Sequence, residues 1–312
     1  MKNIILIFLV LFLLQLFGCK EDDISVPSFE VSTSNDTYYA NKDITFQITG
    51  SPDFINFFSG EKGKRYEYAG RISAEGASQF QFTSLRANGK QEGSLKLLVS
   101  SDFPGITVGN DSITITKIAS SSWTDITDKA LLSTGTSTKS GIIDLTDFAK
   151  QGKPVFIAFK YLATTGSIQN KWTISGLTIT NLLPDGTVYT LANTTNAAIA
   201  NYGVSTVFSP GWKFYRVVNT YSWTLSSNNL IITGATNTTG SAAESWAIMG
   251  PVDLTRVAPD VCANIKGMDT RLNTHTYKYT AAGTYTATFV GATNNIYGKK
   301  EIIKQIEIIV NP

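Results

Sequence analysis

Past roughly its first twenty residues the chain alternates apolar and polar side chains with a period of two. That spacing puts one face of a β-strand in a core and the other in water. "FEV" at 29–31 and "DITFQI" at 43–48 follow it near the front, and "FINFF" at 54–58 adds an aromatic strand. Near the end "TYKY" at 276–279, "GTYTATF" at 283–289 and "EIIKQIEIIV" at 301–310 repeat it. "ND" at 35–36 and "SPD" at 51–53 read as turns between strands. The middle carries further strand patterns: "GSLKLLVSSDF" at 93–103, "SSWTDIT" at 121–127, "SGIIDLTDFAKQGKPVFIAFKY" at 140–161 and "KWTISGLTIT" at 171–180. Thr, Ile, Val, Tyr and Phe are frequent and helical stripes are few after the N-terminus, so the expected fold class is all-β. At 312 residues the chain has room for two domains.

The first segment breaks the pattern. Lys2 precedes an unbroken apolar run at 4–14, shorter than the 20 or so residues a bilayer span needs and suited to a signal peptide. "LFGC" at 16–19 resembles a lipobox, which implies cleavage after residue 18 and acylation of Cys19. Each acyl CH₂ buried in lipid contributes about 0.8 kcal/mol, so two or three chains make a firm anchor. "KEDD" at 20–23 resembles the export signal of Bacteroidetes surface lipoproteins. That likeness implies an outer-membrane protein, lipid-anchored and facing the cell exterior, with 19–26 as its linker.

The two ends resemble halves of one domain. "FEVSTSNDTYYANKDITFQITGSPDFINFFSGEKG" looks like the first half of a PKD-type, immunoglobulin-like sandwich, and "HTYKYTAAGTYTATFVGATNNIYGKKEIIKQIEIIV" like the second. Neither half alone has the seven or so strands that close such a sandwich. The expectation is a discontinuous domain, 27–72 plus 266–312, with 73–265 inserted. A long insertion costs closure entropy only logarithmically in its length. The strand succession in the insert resembles galactose-binding-like, choice-of-anchor jelly rolls. "ESWAIMGPVDL" at 244–254 is similar to a strand that opens such domains, yet here it comes last, as in a circular permutation. With the block "GSPDFINFFSGEKGKRYEY" at 50–68, nearly the whole chain resembles a Bacteroidetes surface lipoprotein family of about 300 residues and unassigned function. The resemblance implies association with glycan-uptake systems.

Charge and chemistry narrow the function classes. A net charge of +2 shows no basic footprint for nucleic acid. No Gly-Xaa-Ser-Xaa-Gly, His-Glu-Xaa-Xaa-His or phosphate-loop motif is present. His275 is the single histidine and reads as structural; Cys262 reads as a buried small apolar residue or an unreactive loop thiol. Asp125, Asp128, Asp144 and Asp147 have the residue type of a glycosidase pair, but Asp-Xaa-Xaa-Asp before an apolar strand more often builds turns and caps. The expectation is therefore not an enzyme. Asp102, Asp144 and Asp253 at strand edges are the residue type of a structural Ca²⁺ site, with turn chemistry an equal explanation. Trp123, Trp172 and Trp246 lie in strand patterns and read as core. "FSPGWKFYRVVNTYSW" at 208–223 gathers Trp212, Tyr215, Tyr221 and Trp223 with Lys213 and Arg216. With Tyr202 nearby, Trp212, Tyr215 and Trp223 form the nominated ligand face; the competing reading is that they pack the jelly roll. The functional expectation is non-catalytic binding of extracellular polysaccharide or oligosaccharide for an outer-membrane transporter complex. The alternative is a structural or adhesive surface protein that binds a protein partner.

Overall fold

The computed structural model describes residues 24–194, 211–296 and 298–312. The chain divides into two compact units: one runs up to Gly70 and resumes at Pro259–Pro312, the other is Arg71–Ala258. The first unit opens with β1 (Phe29–Ser32), β2 (Thr37–Tyr39), β3 (Asp43–Gly50) and β4 (Phe54–Phe58). The second unit follows with β5 (Ala77–Asn88) and β6 (Leu95–Ser100), then helix α1 (Asp111–Ser120). Next come β7 (Thr124–Asp125), β8 (Thr138–Lys139), β9 (Ile143–Asp144) and the single turn α2 (Thr146–Ala149). Its remaining strands are β10 (Val155–Ala163), β11 (Asn170–Leu182), β12 (Val188–Asn193), β13 (Trp212–Val218), β14 (Thr224–Ser226), β15 (Asn229–Thr233) and β16 (Ala243–Val252). The first unit is completed by β17 (Ala263–Lys266), β18 (Thr274–Lys278), β19 (Gly283–Asn295) and β20 (Gly298–Asn311). The fold is an all-β sandwich architecture, and no helix among the described residues is long and apolar enough to cross a membrane.

In the first unit a three-stranded sheet, β1-β3-β18, faces a five-stranded sheet, β17-β4-β19-β20-β2. The first strand of the fold is divided: β1 joins one sheet, while β2 runs parallel to β20 in the other. This is an immunoglobulin-like order. The alternation in "DITFQITG" buries Ile44, Phe46 and Ile48 and leaves the residues between them in water. The core is aromatic, with Phe289 ring centroids 5.1 Å from Phe46 and 4.8 Å from Phe57. Tyr285, near the start of β19, donates its hydroxyl back to the Ala281 carbonyl at 2.9 Å, the tyrosine corner of such sandwiches. Residues 259–265, read from the sequence as the end of the insert, belong to this unit. Ala263 pairs with Phe57 and Asn264 with Asn56, so β17 extends the sheet at β4.

In the second unit β13-β16-β10-β6-β7 packs against β14-β15-β11-β5-β8, with β12 added to β11 and β9 to β5. Every pairing is antiparallel, as in jelly rolls. Its main core runs from Phe80 and Phe82 through Phe159 and Trp172 to Trp223 and Ile232. A second apolar layer lies on the other side of the five-stranded sheet, where Ile118 of α1 joins Phe103, Phe156, Tyr215, Trp246 and Ile248. Helix α1 is a departure from the strand reading, since "DSITITKIAS" is rich in β-branched residues. Its ends explain it. Asn110 Oδ1 accepts from the Ile113 amide at 3.0 Å, and Ser121 Oγ donates to the Lys117 carbonyl at 2.7 Å. Capping at the first turn, with Thr114 and Ile118 buried, outweighs weak propensity.

Candidate functional site

The sequence block at 50–68 builds a polar groove in the first unit. After β4 the chain turns at Gly60, whose φ is +82°; a Cβ there would stand 2.7 Å from the Thr286 backbone. Only glycine lets this loop lie directly on β19. The loop is fastened from the side. Tyr277 donates its hydroxyl to Glu61, Ser59 Oγ donates to the same carboxylate at 3.0 Å, and Lys64 Nζ donates to the Tyr277 oxygen at 3.0 Å. The bond to Tyr277 chiefly pushes the Lys64 pKa above its ordinary value, against a smaller desolvation effect. The buried Tyr279 hydroxyl reaches the Ser59 carbonyl at 2.7 Å.

A 3₁₀ turn at Tyr66–Tyr68 then forms one wall. Tyr66 is held edge-on against Phe58, with centroids 5.4 Å apart. Arg65 Nε contacts Asp260 Oδ2 at 3.3 Å, and its guanidinium lies 4.4 Å from the Tyr68 ring centre. The floor is the outer face of β19, where the two-residue period aligns Thr284, Thr286 and Thr288. Gln305 of β20 donates to Thr288 Oγ1 at 3.2 Å. The groove encloses about 370 Å³ and includes Glu67. It offers hydroxyls, an amide, one carboxylate and a guanidinium beside a tyrosine ring. That donor and acceptor set suits a hydroxyl-rich ligand.

The second unit has a larger, more apolar bowl of about 940 Å³ where the start of β5 meets the end of β11 and α2. Ala77, Ala149, Leu182, Leu183 and Pro184 line it, with Glu75 and Lys150 among its polar groups.

The nominated aromatic face is a correction. Trp212 and Trp223 are buried in the main core, where Trp212 stacks on Phe159 at 5.9 Å and Trp223 Nε1 donates to the Ser245 carbonyl at 3.2 Å. Tyr215 is buried on the opposite side of β13, in the layer beneath α1. Alternation along the strand separates Trp212 from Tyr215, and the structure covers both sides. They therefore form no exposed platform. Tyr202 lies outside the described residues, as does Cys19. Trp172 and Trp246 are buried, and Trp123 is half-buried with its indole 5.1 Å from that of Trp246.

The acids named from the sequence serve locally. Asp102 accepts from Ser100 Oγ at 2.8 Å and from the Ser122 amide at 3.0 Å, bonds that hold its carboxyl below the usual range. Asp144 caps the Thr146 amide at 2.8 Å, and Thr146 likewise lowers its pKa. Desolvation pushes the Asp125 carboxyl up, but Lys96 at 2.6 Å and Thr127 outweigh it and hold it low. A glycosidic general acid needs a raised pKa, the opposite direction. Asp128 sits in a 3₁₀ turn, and Asp147 pairs with Lys150 at 3.2 Å. Asp253 accepts from the Thr255 amide and pairs with Arg256 at 3.0 Å. Among the described residues no group of three or more His, Cys, Asp or Glu side chains stands together as a metal site, and the bonds of Asp102, Asp144 and Asp253 are those of turns and caps. Cys262 is exposed, in the loop before β17. His275 is wedged among Phe57, Phe46 and Phe289, and burial lowers its pKa.

The Tyr66 groove was not nominated from the sequence, although its block was singled out. The usable signal was "SGEKGKRYEY", a glycine-punctuated polar loop directly after a buried aromatic strand.

Comparison with known proteins gives one positive result. No curated protein sequence matches the chain. A family model matches residues 18–199, which covers the first four strands, the groove's loop wall and the second unit as far as β12. The chain belongs to the family described as domain of unknown function DUF5017.

Proposed function

We propose that the chain is a lipid-anchored surface protein that binds extracellular polysaccharide without cleaving it, with the groove beneath Tyr66 as its sugar-contacting site. The observation that carries this reading is the groove itself. A tyrosine ring, a row of threonine hydroxyls and Gln305 converge there with a single acid, Glu67. One carboxylate falls short of the facing pair that glycoside hydrolysis uses. In this reading Cys19 carries the acyl anchor, the protein stands on the outer face of the outer membrane, and it delivers oligosaccharide to a transporter complex there.

Affinity gels with a polysaccharide panel test it. The wild type is expected to be retarded by at least one polymer, and Tyr66→Ala to run as in a blank gel. A wild type that no polymer retards, or an unaffected Tyr66→Ala, overturns the assignment. A second reading, adhesion to a protein partner, draws on the apolar bowl of the second unit, lined by Ala77, Ala149, Leu182, Leu183 and Pro184. In that case Leu182→Asp abolishes partner capture while Tyr66→Ala leaves it intact.

A further inference from the structure

The path of the chain at its described beginning points along one element. Phe29 packs against Gly291 of β19: a Cβ at that glycine would stand 2.4 Å from the phenyl ring. Glu30 pairs with Lys304 of β20 at 2.7 Å. Five residues earlier than Phe29, the buried Ile24 lies against Gly298, where β20 begins; a Cβ at Gly298 would stand 3.4 Å from Ile24 Cδ1. Traced backwards, the N-terminal segment thus climbs the β19–β20 hairpin to its tip. At the tip Ile296 is 90% exposed, the most exposed of the large apolar side chains among the described residues. Lys299 and Lys300 follow it, Lys299 also pairing with Glu301.

We infer that this hairpin tip is a second membrane contact, placing Ile296 in the lipid interface beside the acylated N-terminus. The inference rests on the reading that Cys19 carries the anchor. Cys19 precedes Ile24 by five residues, a reach of at most about 17 Å even when fully extended. The lipid surface is therefore never far from the tip. An exposed isoleucine followed by lysines has the chemistry of an interfacial contact with anionic lipid, weak alone and effective as a second attachment. The threonine row of the groove lies toward the other end of the same hairpin. Thr286 is nine residues from Asn295 at the end of β19, about 30 Å along a strand. Two-point attachment would hold the groove that far above the lipid.

The test uses the full-length acylated protein in vesicles of phosphatidylethanolamine and phosphatidylglycerol containing a spin-labelled lipid. Cys262→Ser removes the exposed thiol, and an environment-sensitive dye is placed through Ile296→Cys or, as control, Tyr39→Cys. Tyr39 is exposed and pairs with Asn311 at the far end of the hairpin. The dye at 296 is expected to be quenched about threefold more than the dye at 39, as an interfacial contact requires. With the dye moved to Asn294→Cys, Ile296→Asp should cut the quenching by about half. Mass spectrometry reads the state of Cys19 in the same samples. An acylated protein with equal quenching at 296 and 39 overturns the tip contact and leaves the anchor standing. An unmodified Cys19 overturns the anchor and the tip contact with it.

Discussion

In the first unit a strand such as β20 buries alternate residues and shows the others to water, whereas β10 and β16 of the second unit are buried on both faces. Both units are sandwiches, so the difference lies in what covers the outside of a sheet. Over the five-stranded sheet of the second unit lie α1, Phe103 and Trp123. Outside β19 in the first unit, Thr284 and Thr286 remain exposed, with the turn at Gly60 lying against Thr286. An accessible sheet face with polar side chains therefore occurs in the first unit, and the second unit, which holds all five tryptophans, uses them for packing.

The sharpest way to break this comparison is to remove a tryptophan from the second unit. Trp223→Ala leaves a cavity among Phe159 and its neighbours and should cost that unit about 3–5 kcal/mol in urea unfolding. Polysaccharide retardation through the Tyr66 groove should persist at urea concentrations below the new midpoint. A loss below about 1 kcal/mol would mean the side chain is a surface platform after all.

The cover is tested more gently at its cap. Asn110→Ala removes the acceptor for the Ile113 amide and should destabilise α1 by about 1 kcal/mol. Apolar-dye binding should rise as the Trp246 layer opens, and Asn110→Ser should restore the wild-type signal.

The smallest effect separates the units by pH. The His275 imidazole is half-buried among aromatic rings, its Nε2 has no hydrogen-bond partner among the described residues, and its pKa lies below the ordinary 6.5. The unfolded chain therefore takes up a proton that the folded one resists. Stability of the first unit is full above about pH 6.5 and falls as pH drops through the lower folded value. His275→Phe should flatten that slope for the first unit's unfolding transition and leave the second unit's transition unchanged. A slope that survives the substitution assigns the effect to another group.

How much of this was legible follows from the same physics. "DITFQI" and "EIIKQIEIIV" announce their buried faces because one side of each meets water, and alternation records that directly. "SGIIDLTDFAKQGKPVFIAFKY" holds a strand whose outer face is roofed, so its near-continuous apolar run does not say what lies above it. The loop acids were read with two meanings, cap or cation site. Only their partners, Ser122, Thr146 and Thr255, select the first. The helix at 111–120 was hidden because "SITITKI" has the composition of a strand, and its cap at Asn110 carries the decision.

By itself the sequence determined the strand-rich class, the one-sided strands of the first unit and the absence of familiar catalytic motifs, since each is written in local residue order. The tertiary structure alone decided which aromatics are covered and which polar side chains meet across the β19 face. Burial and convergence depend on segments far apart in the chain, such as Gly60 lying on Thr286 or α1 closing over Trp246. No local pattern encodes the distance between them.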